Sequence, residues 1–241
     1  MTLPSIQVPT YDLNIPSTGE QIKIRPFIVK EEKLLLMAAA SDDEGEIINT
    51  TKQIVKNCIV EGKINVDTLP FFDIDYIFTA LRAKSIGEKI ETLFTCNNVI
   101  EDGSECNHSF YADIDISNAT IKNLDVEKNI DLSKDIKLKM RYPTYSTIRS
   151  IELTSNPLEA KIKIIAGSID LIIQGDKVYS WKDYSKEEMI QFVEGLTQEQ
   201  FKKLEEFVEN FPSFHVDVIH TCGKCGFTHY LEYNDFTDFF Q

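Results

Sequence analysis

Five cysteines, Cys58, Cys96, Cys106, Cys222 and Cys225, are the residues of this 241-residue chain best suited to chemistry. The last two sit in Thr221-Cys222-Gly223-Lys224-Cys225-Gly226, a Cys-x-x-Cys knuckle with glycines where a tight turn calls for positive φ. The flanking runs, Phe214 to Ile219 and Phe227 to Tyr233, alternate as strands do. A strand, a knuckle and a returning strand make half of a zinc ribbon, whose thiolates sit about 2.3 Å from the ion. A second half lies upstream. Glu88 to Thr95 reads as a strand, Cys96 and Cys106 bracket a polar loop, and Phe110 to Ile116 alternates as the returning strand. That loop is acidic and carries Gly103, as a solvent-facing excursion would. Four thiolates on two hairpins form a closed tetrahedral set, suited to structural rather than catalytic zinc. Three other readings stay open. The knuckle could be a redox pair, although no βαβ context surrounds it. The cysteines could be unmetallated. His108, His220 or His229 could replace one sulfur. The all-cysteine set of Cys96, Cys106, Cys222 and Cys225, with one structural zinc per chain, is the expectation. Cys58 shares a helical apolar stripe with Ile47, Ile54 and Val55, so it is expected in the core.

The elements that must position these sulfurs are written twice. Tyr11 to Pro16 leads through a turn to Gln21 to Phe27, and Val126 to Leu132 leads likewise to Asp135 to Pro143; each returning segment ends near a proline. A helical region follows each hairpin. In each, a helix is expected to stop at a glycine, at Cys58-Ile59-Val60-Glu61-Gly62 and at Leu171-Ile172-Ile173-Gln174-Gly175. A last helix opens at Leu69-Pro70 in one half and Leu196-Thr197 in the other, and the cysteine hairpins follow. The predicted fold is therefore α+β, with pseudo-repeats 1–117 and 118–241. Each contributes a hairpin, helices and a zinc-ribbon-like hairpin, joined at one shared zinc site into a single cooperative unit over 1–241. No Gly/Ser- or Pro-rich linker interrupts the chain.

Helices are expected over Lys30 to Ala40, after Asp42, Asp43 and Glu44, and from about Leu69 to Ser85. Leu158, Ile162, Ile165, Ile169 and Ile172 repeat at helical spacing and read as one core stripe. Ser185 with Glu188, and Thr197 with Gln200, match the capping box.

Composition sets the remaining bounds. With 25 Lys+Arg against 39 Asp+Glu the formal net charge is −14, which disfavours nucleic acid and anionic membrane as partners. At 42% hydrophobic and 27% charged the chain can build an ordinary core. Its longest apolar run, Leu34 to Ala40, is too short to span a bilayer, and Met1 to Pro16 lacks the pattern of a secretory signal. A reducing compartment is the expected setting. No phosphate loop, GxSxG elbow or HExxH occurs. Asp73 and Asp75 read as helix-start acids, and Asp113 and Asp115 as solvent-facing strand residues, so no enzyme activity is expected.

The segment Ile24-Arg25-Pro26-Phe27-Ile28-Val29-Lys30-Glu31-Glu32-Lys33-Leu34-Leu35-Leu36-Met37-Ala38 resembles the opening of baseplate proteins of contractile-tailed bacteriophages. Gln53 to Cys58, Leu69 to Phe78, Leu81 to Glu88 and Val178 to Ser185 share the resemblance. It implies a component of the baseplate hub, or a factor that assists hub assembly, located in the virion tail and in the host cytoplasm during assembly. Other baseplate and hub proteins are the implied partners, with a second copy of the chain as a further one. It carries no catalytic residues over and says nothing of zinc. A zinc-ribbon nucleic-acid factor is the alternative, which the charge opposes; a zinc hydrolase, the third, would need an open metal position.

Overall fold

Alternation of Ile22 and Ile24 with the more exposed Gln21 and Lys23 gives the first returning strand its buried face. In the computed structural model, which describes residues 6–41, 43–152 and 156–234, β1 (Tyr11–Asn14) and β2 (Gln21–Ile24) pair antiparallel. The helix α1 (Val29–Ala39) begins where the Glu31 carboxylate accepts the Ile28 amide at 3.0 Å. The next helix, α2 (Glu44–Cys58), is capped by Asp43, which accepts from the Gly45 and Glu46 amides at 2.8 and 3.2 Å. Asp42, expected beside it, lies outside the described residues. Ile54, Val55 and Cys58 line the fully buried stripe of α2. The short β3 (Ile59–Glu61) then returns beside β2 to complete a three-stranded sheet. The helix α3 (Phe71–Ser85) buries Phe72, Ile74, Ile77, Phe78 and Leu81, and β4 (Lys89–Thr95), β5 (Ser109–Asp115) and β6 (Thr120–Lys122) follow. Asp73 stands in the first turn of α3, as expected of a helix-start acid, but it is wholly buried and also accepts from the Ser17 amide and hydroxyl.

The second passage runs β7 (Asn129–Asp131), β8 (Ile136–Met140), α4 (Tyr145–Glu152), α5 (Pro157–Gly167), β9 (Ile169–Gln174), β10 (Lys177–Ser180), α6 (Lys186–Glu194), α7 (Gln198–Glu209), β11 (Ser213–Thr221) and β12 (Thr228–Tyr233). Both expected capping boxes form, at Ser185 with Glu188 and at Thr197 with Gln200. The stripe from Leu158 to Ile172 is not one helix. It ends at Gly167, where the Ser168 hydroxyl turns back to the Ile164 carbonyl at 2.7 Å, and Ile169 and Ile172 belong to β9. A run rich in isoleucine satisfies either period, and pairing with β8 decides for the strand. Gly62 and Gly175 likewise end strands rather than helices, at φ +128° and +56°.

Seven α-helices and antiparallel sheets make up the described residues, an α+β architecture. The sheets run β1-β2-β3, β10-β9-β8-β7, β12-β11-β6 and β4-β5. Both passages run hairpin, two helices, a strand returned to the hairpin and, after one helix in the first and β10 with two helices in the second, a cysteine hairpin. The likeness reaches single bonds. A register shift follows Lys23 in β2 and Lys139 in β8, and just beyond it Arg25 donates its amide to the Cys58 carbonyl at 2.9 Å while Arg141 donates to Ser168 at 2.7 Å.

By contact the chain gathers into two compact units. Among the described residues one holds those within 6–66, 72–122 and 213–234, with its core at α2, α3 and the cysteine hairpins. The other holds 67–71 and 123–212, in which Tyr142 lies parallel to Phe207 with ring centroids 6.3 Å apart. The last described hairpin, β11–β12, thus packs with elements of the first half of the chain.

Candidate metal centre

Each cysteine hairpin is built from an alternating strand pair closed by a turn at the sulfurs. In the β4–β5 turn the Cys96 amide donates to the His108 carbonyl and the Asn107 amide to the Cys96 carbonyl, both at 2.9 Å. In the β11–β12 turn the Cys222 amide donates to the Phe227 carbonyl at 2.8 Å, and the Gly226 amide to the Cys222 carbonyl at 2.9 Å. The residue after the second cysteine is left-handed in both, Asn107 at φ +48° and Gly226 at +74°. Asparagine and glycine are the residues that enter this region most cheaply. Gly223 has no such need, so one glycine of the knuckle and not two carries the positive φ. The nine-residue excursion between Cys96 and Cys106 is pinned by the Cys106 amide on the Asn98 carbonyl at 2.8 Å and by Ile100 and Ser104 at 2.9 Å.

These turns bring the Sγ atoms of Cys96, Cys106, Cys222 and Cys225 within 4.8 Å of one another. Cys96 and Cys225 are 3.6 Å apart and Cys106 and Cys222 3.9 Å, and none forms a disulfide. Four sulfurs about 2.3 Å from one ion have a tetrahedral edge of about 3.8 Å, so the spacing fits a metal of that size. Three of the four are buried and Cys225 is half-buried. Ile100 and Phe110 pack against the cluster.

The thiols are not equivalent. Burial pushes Cys96 up to about 12 and raises Cys106, whereas an amide hydrogen bond from Phe227 holds Cys225 down to about 7. Cys225 is therefore more readily available as thiolate than Cys96 or Cys106. No histidine joins the four. Instead His229, nearly buried, sets Nε2 3.2 Å from Cys96 Sγ, and Asn98 Nδ2 stands 3.7 Å from Cys225 Sγ. Lys224 donates to the Cys106 carbonyl at 2.8 Å, bringing a cation to the cluster. With its proton on Nε2, His229 is a donor to thiolate, the outer-layer role that orients metal ligands. The three histidines near the cysteines were visible in the sequence as replacement ligands. Nothing there marked His229 as a donor behind Cys96, because that requires β12 to lie against β4–β5.

Cys58 stands apart in the α2 stripe, with burial pushing its thiol up to about 11. Asp113 is exposed as expected, and Asp115 accepts the Ser117 amide at 3.0 Å. In the second unit Arg141, Trp181, Lys182, Tyr184 and Lys186 line a cavity of about 630 Å³, with the Arg141 guanidinium 3.7 Å from the Trp181 ring centroid.

The sequence pattern of the T4 bacteriophage base plate protein family matches residues 8–241. The chain belongs to that family. Neither a curated protein nor a solved structure matches it. The baseplate protein thus carries its sulfur cluster where two hairpins far apart in the matched span, β4–β5 and β11–β12, meet. Among its described residues no helix is long and apolar enough to cross a membrane.

Proposed function

We propose that this baseplate protein is a structural or assembly part of the hub region of a contractile tail, acting by binding other baseplate proteins. In this reading one structural zinc, held by Cys96, Cys106, Cys222 and Cys225, fixes the two hairpins against each other. The carrying observation is the sulfur geometry, with its 3.6 and 3.9 Å separations close to a tetrahedral edge; four such sulfurs would fill the four positions of a tetrahedral ion. Because all four donors are thiolates, the site suits a closed structural ion and has no catalytic role. The matching order of elements and the paired register shifts support a tandem duplication over 1–117 and 118–241, whose two copies share the ion.

Elemental analysis of the purified full-length chain tests the site and should give one zinc per chain. Removal by a chelator should unfold the β4–β5 and β11–β12 region, and well under one ion per chain would refute the shared site. Mass spectrometry of purified virions, beside a pull-down from infected cells, separates building block from assembly factor. Presence in both marks a building block.

A further inference from the structure

The inner faces of the two cysteine hairpins are spent on each other. Phe110 stacks on His220 with ring centroids 4.1 Å apart, and Phe94 meets Tyr233 at 6.5 Å. Alternation turns the other face of each hairpin outward, and both outer faces carry the same three rows. Next to the sulfurs is a pair of hydroxyls, Thr95 opposite Ser109 and Thr221 opposite Thr228, bonded at 3.1 and 3.0 Å. Two residues further along comes an aliphatic side chain opposite a tyrosine, Leu93 with Tyr111 and Ile219 with Tyr230. These four are 58, 65, 67 and 77% exposed. The third row opposes two carboxylates, Glu91 with Asp113 and Asp217 with Glu232.

Each carboxylate pair has one lysine. Lys89 lies 3.6 Å from Asp113, and Lys122 lies 3.4 Å from Asp217 and 2.6 Å from Glu232. One negative charge therefore remains in each row. Directly opposed like charges weaken a strand pair, and exposed tyrosine–aliphatic pairs gain nothing from water. The rest of the hairpins has diverged. The inner cross-strand pair is Phe94 with Phe110 in one and His220 with His229 in the other, and the turns hold nine and two residues between their cysteines. The outer rows are alike where the parts that build the fold are not.

We propose that the two outer rows are duplicate docking sites for one kind of protein segment. That segment lays an apolar side chain on the tyrosine–aliphatic pair and a lysine or arginine on the carboxylates, and one copy binds on each hairpin. The charge selects the occupant. A second copy of this chain docking row to row would oppose acid with acid, whereas a basic segment meets the uncompensated carboxylate. A single row offers only part of an ordinary interface, so a partner present in two copies gains from engaging both, as linked sites do. This rests on the reading of the chain as a protein-binding baseplate part.

Photo-cross-linking in cells assembling baseplates tests it. The full-length chain carries p-benzoylphenylalanine at position 111, 230 or, as an exposed control in the other unit, 178. Positions 111 and 230 should link to the same segment of one baseplate protein, a segment in which lysine or arginine neighbours an apolar residue. Combined Glu91→Lys and Asp217→Lys substitutions should lower both links about tenfold while leaving zinc content unchanged and without lowering the melting temperature. Links to two unrelated proteins, to an acidic segment or to a second copy of this chain would overturn the proposal. Capture of baseplate proteins from position 178 but not from 111 or 230 would overturn the docking rows and leave the protein-binding reading standing. No capture from any of the three would overturn both.

Discussion

Cys225 and Cys96 approach the same point from opposite chemical conditions, one thiol held near neutrality by an amide and the other driven upward by burial. A dication removes that difference, so losing any one sulfur should cost the whole site. Cys222→Ser is expected to abolish stoichiometric zinc binding and to lower stability by several kcal/mol, read by elemental analysis and denaturant melts. Cys58→Ser is the contrasting case: it should cost about 1–3 kcal/mol for the buried hydroxyl yet leave zinc content intact. His229→Phe, which removes the donor behind Cys96, should weaken zinc about 10–100-fold in competition with a chelator. A second residue-scale test concerns Glu31, buried and 3.0 Å from Arg25. Burial would raise its carboxyl, but the Arg25 hydrogen bond and the Ile28 amide outweigh burial and hold it below its ordinary value. A lowered carboxyl stabilises the fold above its unfolded value of about 4.3, and the gain is lost as pH falls through the folded value. Melting temperature against pH should therefore drop more steeply below about pH 4.3 for the native chain than for Glu31→Gln.

At the scale of elements the two glycines that end β3 and β9 distinguish backbone need from space. At φ +128°, a Cβ on Gly62 would lie 2.8 Å from Ile22 Cγ2, whereas Gly175, at φ +56°, faces open space. Gly62→Ala should destabilise by about 1–3 kcal/mol from strain, with the clash against Ile22 added. Gly175→Asn should be nearly neutral, since asparagine tolerates that region. Thermal melts of the two variants check the contrast. Much at this scale was legible in the sequence: the alternating strands around the sulfurs, both capping boxes and the α2 stripe through Cys58 rest on local periods. What failed was the stretch from Leu158 to Ile172. An isoleucine-rich strand placed directly after a helix extends its apolar pattern without a break, and only pairing with β8 ends it. The knuckle was legible for a different reason, since spacing between cysteines in a tight turn directly constrains where the sulfurs point. The outer rows were not singled out, because an exposed tyrosine means little until its register partner and its counterpart on the other hairpin are known.

For the whole molecule the decisive fact is that β11 and β12, the last described strands, pack with elements from the first half of the chain. Cutting between residues 117 and 118 would divide that unit as well as the sulfur set, leaving Cys96 and Cys106 on one piece and Cys222 and Cys225 on the other. A two-sulfur site binds zinc far less tightly than four, and the inner-face rings of each hairpin would meet water instead of their partners. Each piece alone should show a broad, weakly cooperative melt and little zinc retention by circular dichroism and metal analysis. Mixing the pieces with equimolar zinc should restore one sharp transition that a chelator abolishes, because the ion then supplies both the missing ligands and the link between chains. Two pieces that each melt cooperatively without zinc would contradict the shared core and would make the duplication one of independent domains.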